Sequence, residues 1–121
     1  MKGMMNFHVT QNSDGPPILG HQPAVMFARP ELMRILDLYG RFVAAGLWRD
    51  YGLHAGRDRA EFAIFRRASE RPAYRIIKIP ARANRQGAWL VLGMEGQVLR
   101  RGHHLDQVLR LFDRHLLKLI D

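Results

Sequence analysis

The sequence predicts a single α+β domain, with an N-terminal and a C-terminal helix flanking an antiparallel sheet of four or five strands. Three observations lead there. Apolar residues recur at helical spacing near both ends of the chain: Leu32, Ile35, Leu36, Tyr39 and Val43, then Leu105, Val108, Leu109, Phe112, Leu116, Leu119 and Ile120. Between these stretches the period drops to two, in short runs punctuated by glycine and proline. The length of 121 residues suits one core, which at this size buries roughly two-thirds of the unfolded surface without needing disulfides.

Residues 1–22 lack periodicity and contain Asn12-Ser13-Asp14-Gly15-Pro16-Pro17, a cluster of turn formers and breakers. This segment is expected to be a flexible tail preceding a domain over 23–121. Ala24–Ala28 is short and apolar and reads as an edge strand. Pro30 fits the first turn of a helix, where its missing N–H costs nothing. That helix is placed at 30–45, with Gly46 as its stop.

Strands are expected at Trp48–His54, Arg59–Ala68, Ala73–Ile79, Ala88–Met94 and Gln97–Arg101. In the second of these, Phe62 and Ile64 share one face and Ala63 and Phe65 the other. Ala55–Asp58, Ser69–Pro72 and Glu95-Gly96 read as turns, and Ala81–Gly87 as a polar connection after Pro80 ends its strand. The last helix is placed at 104–119. Asp106, Arg110, Arg114 and Lys118 step along its second face as a solvated stripe with an Asp106/Arg110 pair. The aligned cations also suit a membrane-surface helix, but a short sheet needs a helix to cover it.

Composition narrows the function. The chain has no cysteine, which removes disulfides, thiolate metal sites and cysteine nucleophiles. No apolar run approaches the ~20 residues of a membrane span. The N-terminus lacks the leucine-rich block of a secretory signal. A cytoplasmic protein without a membrane partner is expected. The net charge of +8 and a sequence pI of 11.0 point to an acidic partner.

That charge is localised. Residues 59–86 hold eight cations against Glu61 and Glu70, and so carry most of the net charge. Arg66, Arg67, Arg71, Arg75, Lys78, Arg82 and Arg85 are interleaved with Phe65, Tyr74 and Trp89. Stacking rings framed by cations are how sheet-based modules hold single-stranded nucleic acid. These ten residues are the candidate nucleic-acid-binding set, with RNA or DNA favoured over an acidic protein. On the competing view the three rings are core or dimer-interface residues and the arginines a solvated rim.

Chemistry is sparse. The histidines are His8, His21, His54, His103, His104 and His115, and the helical ones lie roughly 16 Å apart along the axis, too far to share a metal. Ser13 and Ser69 are the serines, and neither sits in a nucleophile elbow. No Walker loop or Gly-x-Gly-x-x-Gly occurs. No catalytic residue, metal or cofactor is therefore expected. An enzyme using Ser69, His54 or an Arg–Asp pair would require a concave pocket with a titratable group. Trp48-Arg49-Asp50-Tyr51 and Arg57-Asp58-Arg59 read as local ion pairs around the sheet.

Several of these residues carry a resemblance. Leu38-Tyr39-Gly40-Arg41-Phe42-Val43-Ala44-Ala45-Gly46-Leu47-Trp48-Arg49-Asp50-Tyr51, Asp58-Arg59-Ala60-Glu61-Phe62, Phe65-Arg66-Arg67-Ala68-Ser69-Glu70, Tyr74-Arg75-Ile76 and Arg101-Gly102-His103 resemble an alphaproteobacterial family, domain of unknown function 2794, over about residues 24–118. The resemblance implies a small bacterial cytoplasmic protein. It implies no activity and transfers no site residue.

The functional expectation is a non-enzymatic basic module that binds RNA or DNA through the 59–86 hairpin. The alternative is a protein-interaction adaptor or homodimer using a second apolar sheet face (Phe65, Ile77, Leu90, Leu92 or their opposites). The two differ in their response to salt, because counterion release makes nucleic-acid binding steeply salt-dependent and apolar association hardly responds.

Overall fold

A computed structural model of the chain describes residues 9–11, 24–67 and 71–120, with side chains over 24–67 and 71–114. The elements run β1 (Val9–Gln11), α1 (Arg29–Ala44), β2 (Asp50–Ala55), β3 (Ala60–Phe65), β4 (Tyr74–Lys78), a 3-10 turn (Pro80–Arg82), β5 (Trp89–Leu92), β6 (Val98–Gly102) and α2 (Leu105–Ile120). The α+β class and the order of helix, five antiparallel strands and helix are as predicted. The strands lie in chain order in one sheet, and β1 joins its edge parallel to β2. Val9–Gln11 falls within the segment expected to be a tail; the remainder of 1–22, like Ser69 and Glu70, lies outside the described residues.

Alternation sorts the side chains onto two faces. Phe62 and Ile64 of β3, Ile76 of β4 and Val91 of β5 point to one side and are fully buried. There they meet Ile35, Leu38, Tyr39 and Phe42 of α1 and Val108, Leu109 and Phe112 of α2. Both helices therefore cover the same face. The opposite face holds a smaller cluster of Ile77, Ile79 and Leu90, with Leu92 against it.

Rings join the layers. Trp48, just before β2, stacks on Phe42 at 4.1 Å and meets Phe112 edge to face at 5.3 Å. Tyr74 of β4 also meets Phe112 edge to face, at 5.0 Å. The two helices run side by side in the same direction, tied by Arg34–Asp106 at 2.9 Å and Arg41–Asp113 at 3.9 Å, successive pairs two turns apart.

Four local expectations are revised. Ala24–Ala28 is not a strand: Val25 makes a single bridge, its N–H donating to the Gly56 carbonyl at 2.6 Å, before the chain turns into α1. The buried stripe of α1 is Ile35, Leu38, Tyr39 and Phe42, so Val43 falls at its edge and is exposed. Asp106 pairs across to Arg34, because α1 lies closer to it than solvent does. Asp50 turns to its neighbour's backbone and accepts the Tyr51 N–H at 2.8 Å.

The α1 start is built as Pro30 suggested. Ala28 has no side-chain oxygen, and the Glu31 carboxylate accepts the Ala28 N–H at 2.7 Å, which is half of a capping box. At the other end of α1, Gly46 takes the left-handed conformation that stops the helix.

Gly87 ties the β4–β5 connection to the start of α2. Its φ is +99°, and a Cβ there would run into the Gly102 carbonyl. Gly87→Ala combines strain with a backbone clash, and is expected to destabilise the domain by more than about 1 kcal/mol. A denaturant midpoint unchanged by the substitution would contradict this packing.

Tyr39 and Tyr51 meet edge to face at 4.9 Å inside the core. Burial, and then the nearby Asp50 carboxylate, pushes the Tyr39 phenol up to about 12, and the same causes raise Tyr51. Between the ordinary value of 10.0 and about 12 the folded state keeps a proton that the unfolded chain has lost. Stability therefore falls as pH rises through that window, and is fully retained below it. Thermal melts across the window should show the decline, and Tyr39→Phe should flatten it.

Candidate functional site

The sheet brings the predicted basic residues together only in part. Because the strands form a meander, the β3–β4 and β5–β6 turns lie at one end of the sheet, and the β2–β3 turn and β4–β5 connection at the other. Arg66, Arg67 and Arg71 occupy the first end, whereas Arg82 and Arg85 sit in the connection at the second. β4 separates the groups, and its five residues span about 16 Å.

At the first end, Arg66, Arg67, Arg71 and Met94 line an open depression of about 460 Å³. Arg66 and Arg67 are exposed just past β3, where the ladder to β2 ends with Arg49 N–H donating to the Phe65 carbonyl at 2.9 Å. Met94 comes from the β5–β6 turn, closed by Gly93 N–H donating to Gln97 O at 2.9 Å and by Gly96 at φ +85°. Arg71 pairs with Glu95 of that turn at 3.5 Å, and both side chains are about two-thirds exposed. A pair this exposed contributes little stability. It leaves Arg71 available for exchange onto another anion.

Between the two ends, the cations already have carboxylate partners. Arg75 points to the face opposite the helices and lies 3.8 Å from Glu61. Lys78 points to the helix face, where Nζ donates to Glu31 Oε1 at 2.7 Å and to the Met26 carbonyl at 3.1 Å. Its ammonium also lies 5.9 Å from the Trp89 ring centroid. Lys78 thus fastens the start of α1 to the sheet.

The three rings are not gathered into a stacking surface. Trp89 is buried and stacks on Phe27 at 6.1 Å. Tyr74 packs against Phe112 and Trp48 on the helix face. Phe65 is half-buried on the other face, opposite Asp50. Sequence reading did not single out Met94 or Glu95. Their signal was the Glu95-Gly96 turn, which becomes part of the site once strand order puts it beside the β3–β4 turn.

At the second end, Arg85 is exposed and Arg82 half-buried. Nearby Arg101 donates to Gln86 Oε1 at 3.0 Å, and His103 Nδ1 lies 3.2 Å from the Ala83 carbonyl. The backbone N–H groups of His103 and His104 both donate to Gln107 Oε1 at 3.0 Å, which caps α2 internally.

These placements separate a structural cation from surface ones. Lys78→Ala should cost about 1–2 kcal/mol, the range for a hydrogen bond to a charged group, read as a lower denaturant midpoint. It should leave polyanion affinity unchanged. Lost affinity at unchanged stability would return Lys78 to the binding surface.

Among the described residues, no helix is long and apolar enough to cross a membrane. Neither the curated proteins nor the solved structures contain a significant match to this chain. Residues 25–109, well over half of the sequence, match the family described as Protein of unknown function (DUF2794), and the chain belongs to that family.

Proposed function

We propose that this chain is a non-enzymatic, cytoplasmic binding module that engages RNA or DNA through the basic end of its 59–86 hairpin. The observation that carries this reading is the convergence of Arg66, Arg67 and Arg71 on one open depression. A guanidinium presents five donors in a planar fork that matches phosphate oxygens, and its weak hydration lowers the cost of contact. The net charge of +8 adds long-range attraction for a polyanion. Arg82 and Arg85 at the far end supply secondary contacts for a strand long enough to reach them.

A second reading is association with a protein or a second copy. Its support is the cluster of Ile77, Ile79, Leu90 and Leu92 on the face where neither helix packs among the described residues. Val98, nearly half exposed on β6, adjoins it through the register with Leu92. Such an interface would be apolar and insensitive to salt.

Fluorescence anisotropy with labelled single- and double-stranded RNA and DNA, at about 50 and 200 mM salt, tests the first reading. Binding should weaken by orders of magnitude between the two conditions. Arg66→Ala/Arg67→Ala/Arg71→Ala should weaken it more than Arg82→Ala/Arg85→Ala. Each lost phosphate contact should lower the salt slope by about 0.7 on a single strand. Absence of binding at the lower salt, or affinity untouched by the triple substitution, overturns the proposal. A dimer that persists at both salts in sedimentation would then favour the second reading.

A further inference from the structure

The depression at the β3–β4 end has features that select among anions. Its lining combines three guanidinium groups with one thioether, Met94, within a volume of about 460 Å³. That volume falls in the size class of small-molecule sites, enough for one phosphorylated nucleotide. Beyond it the positive track is broken. Arg75 and Lys78 are held by Glu61 and Glu31, and Ile77 and Leu90 are buried between the two basic ends. A strand lying along the sheet would find no continuous row of cations for its internal phosphates. Positive charge is concentrated at one point instead.

Resting on the nucleic-acid reading above, we infer that this depression takes the terminal phosphate monoester of a nucleic-acid strand, and that Glu95 sets the preference for it over an internal phosphodiester. Arg71 is paired with the Glu95 carboxylate at 3.5 Å, so an incoming anion must compete with a single negative charge. A phosphodiester also carries one charge, and the exchange gains little. A monoester carries about −1.5 to −2 near neutral pH and three strong acceptor oxygens. It outcompetes the carboxylate and still has oxygens for Arg66 and Arg67. The Met94 thioether gives the terminal base a polarisable surface, since sulfur–aromatic contacts are favourable.

The same chemistry occurs in free nucleotides and inorganic phosphate, so the test includes both sources. Anisotropy is measured on the full chain at about 50 mM salt. The probes are internally labelled RNA and DNA strands of one sequence, bearing a 5′-phosphate, a 3′-phosphate or hydroxyls at both ends. At least one terminal phosphate should tighten binding about tenfold, a difference of about 1.4 kcal/mol. Arg66→Ala/Arg71→Ala should erase that difference. Glu95→Gln removes the competitor and should raise affinity for the phosphorylated strand several-fold, a gain that lost folding cannot produce.

Equal affinity for phosphorylated and hydroxyl-ended strands overturns the terminal-phosphate inference and leaves the nucleic-acid reading standing. Failure of every strand to bind overturns both. Displacement of the phosphorylated strand by adenosine monophosphate or inorganic phosphate at equal concentration assigns the site to a free ligand and overturns the assignment to a strand end. A Glu95→Gln variant with unchanged preference removes Glu95 from the discrimination.

Discussion

The contact on which the rest of the structure depends is the ring cluster around Trp48. Its indole stacks on Phe42 of α1 and meets Phe112 of α2 edge to face, while Tyr74 of β4 closes on the same Phe112. Offset and edge-to-face arrangements of this kind add to the large areas that aromatic side chains bury. Because Trp48 precedes β2, one residue binds both helices to one side of the sheet. The Arg34–Asp106 and Arg41–Asp113 pairs then align the helices in the same direction.

That one-sided cover decides where charge goes. Asp106 and Asp113 pair with cations of α1, and Glu31 both caps that helix and receives Lys78. In the sheet, Glu61 lies against Arg75. The arginines past the end of β3 are different. There the strand ladder has stopped, side chains are exposed, and Glu95 is the carboxylate that faces Arg71. The basic segment of the sequence thus becomes two separated ends rather than a stripe.

Much of the fold was legible because short-range patterning reports on it. The helical period located α1 and α2 to within a residue or so at each end, and alternation in Ala60–Phe65 correctly placed Phe62 and Ile64 on the buried side. Turn chemistry located the β5–β6 connection, where Gly96 has a positive φ. The failures involved partners distant in sequence. Asp106 seemed paired with Arg110 because i,i+4 spacing is what a sequence displays, whereas Arg34 is 72 residues away. Val43 seemed buried because a stripe read from spacing has no fixed centre until the sheet fixes the helix's rotation.

The candidate site divides in the same way. The sequence by itself determined the amount of positive charge, its concentration in 59–86, and the hairpin that carries it, since composition and strand period are local properties. Tertiary structure decided which of those cations are available. Lys78 and Trp89 face α1 because alternation puts them on the helix side, and that side is known only once the helices have packed. Met94 and Glu95 join Arg66, Arg67 and Arg71 because a meander sets alternate turns at the same end of the sheet. Strand order is a long-range choice made by the burial of the whole apolar face, and no window of neighbouring residues contains it.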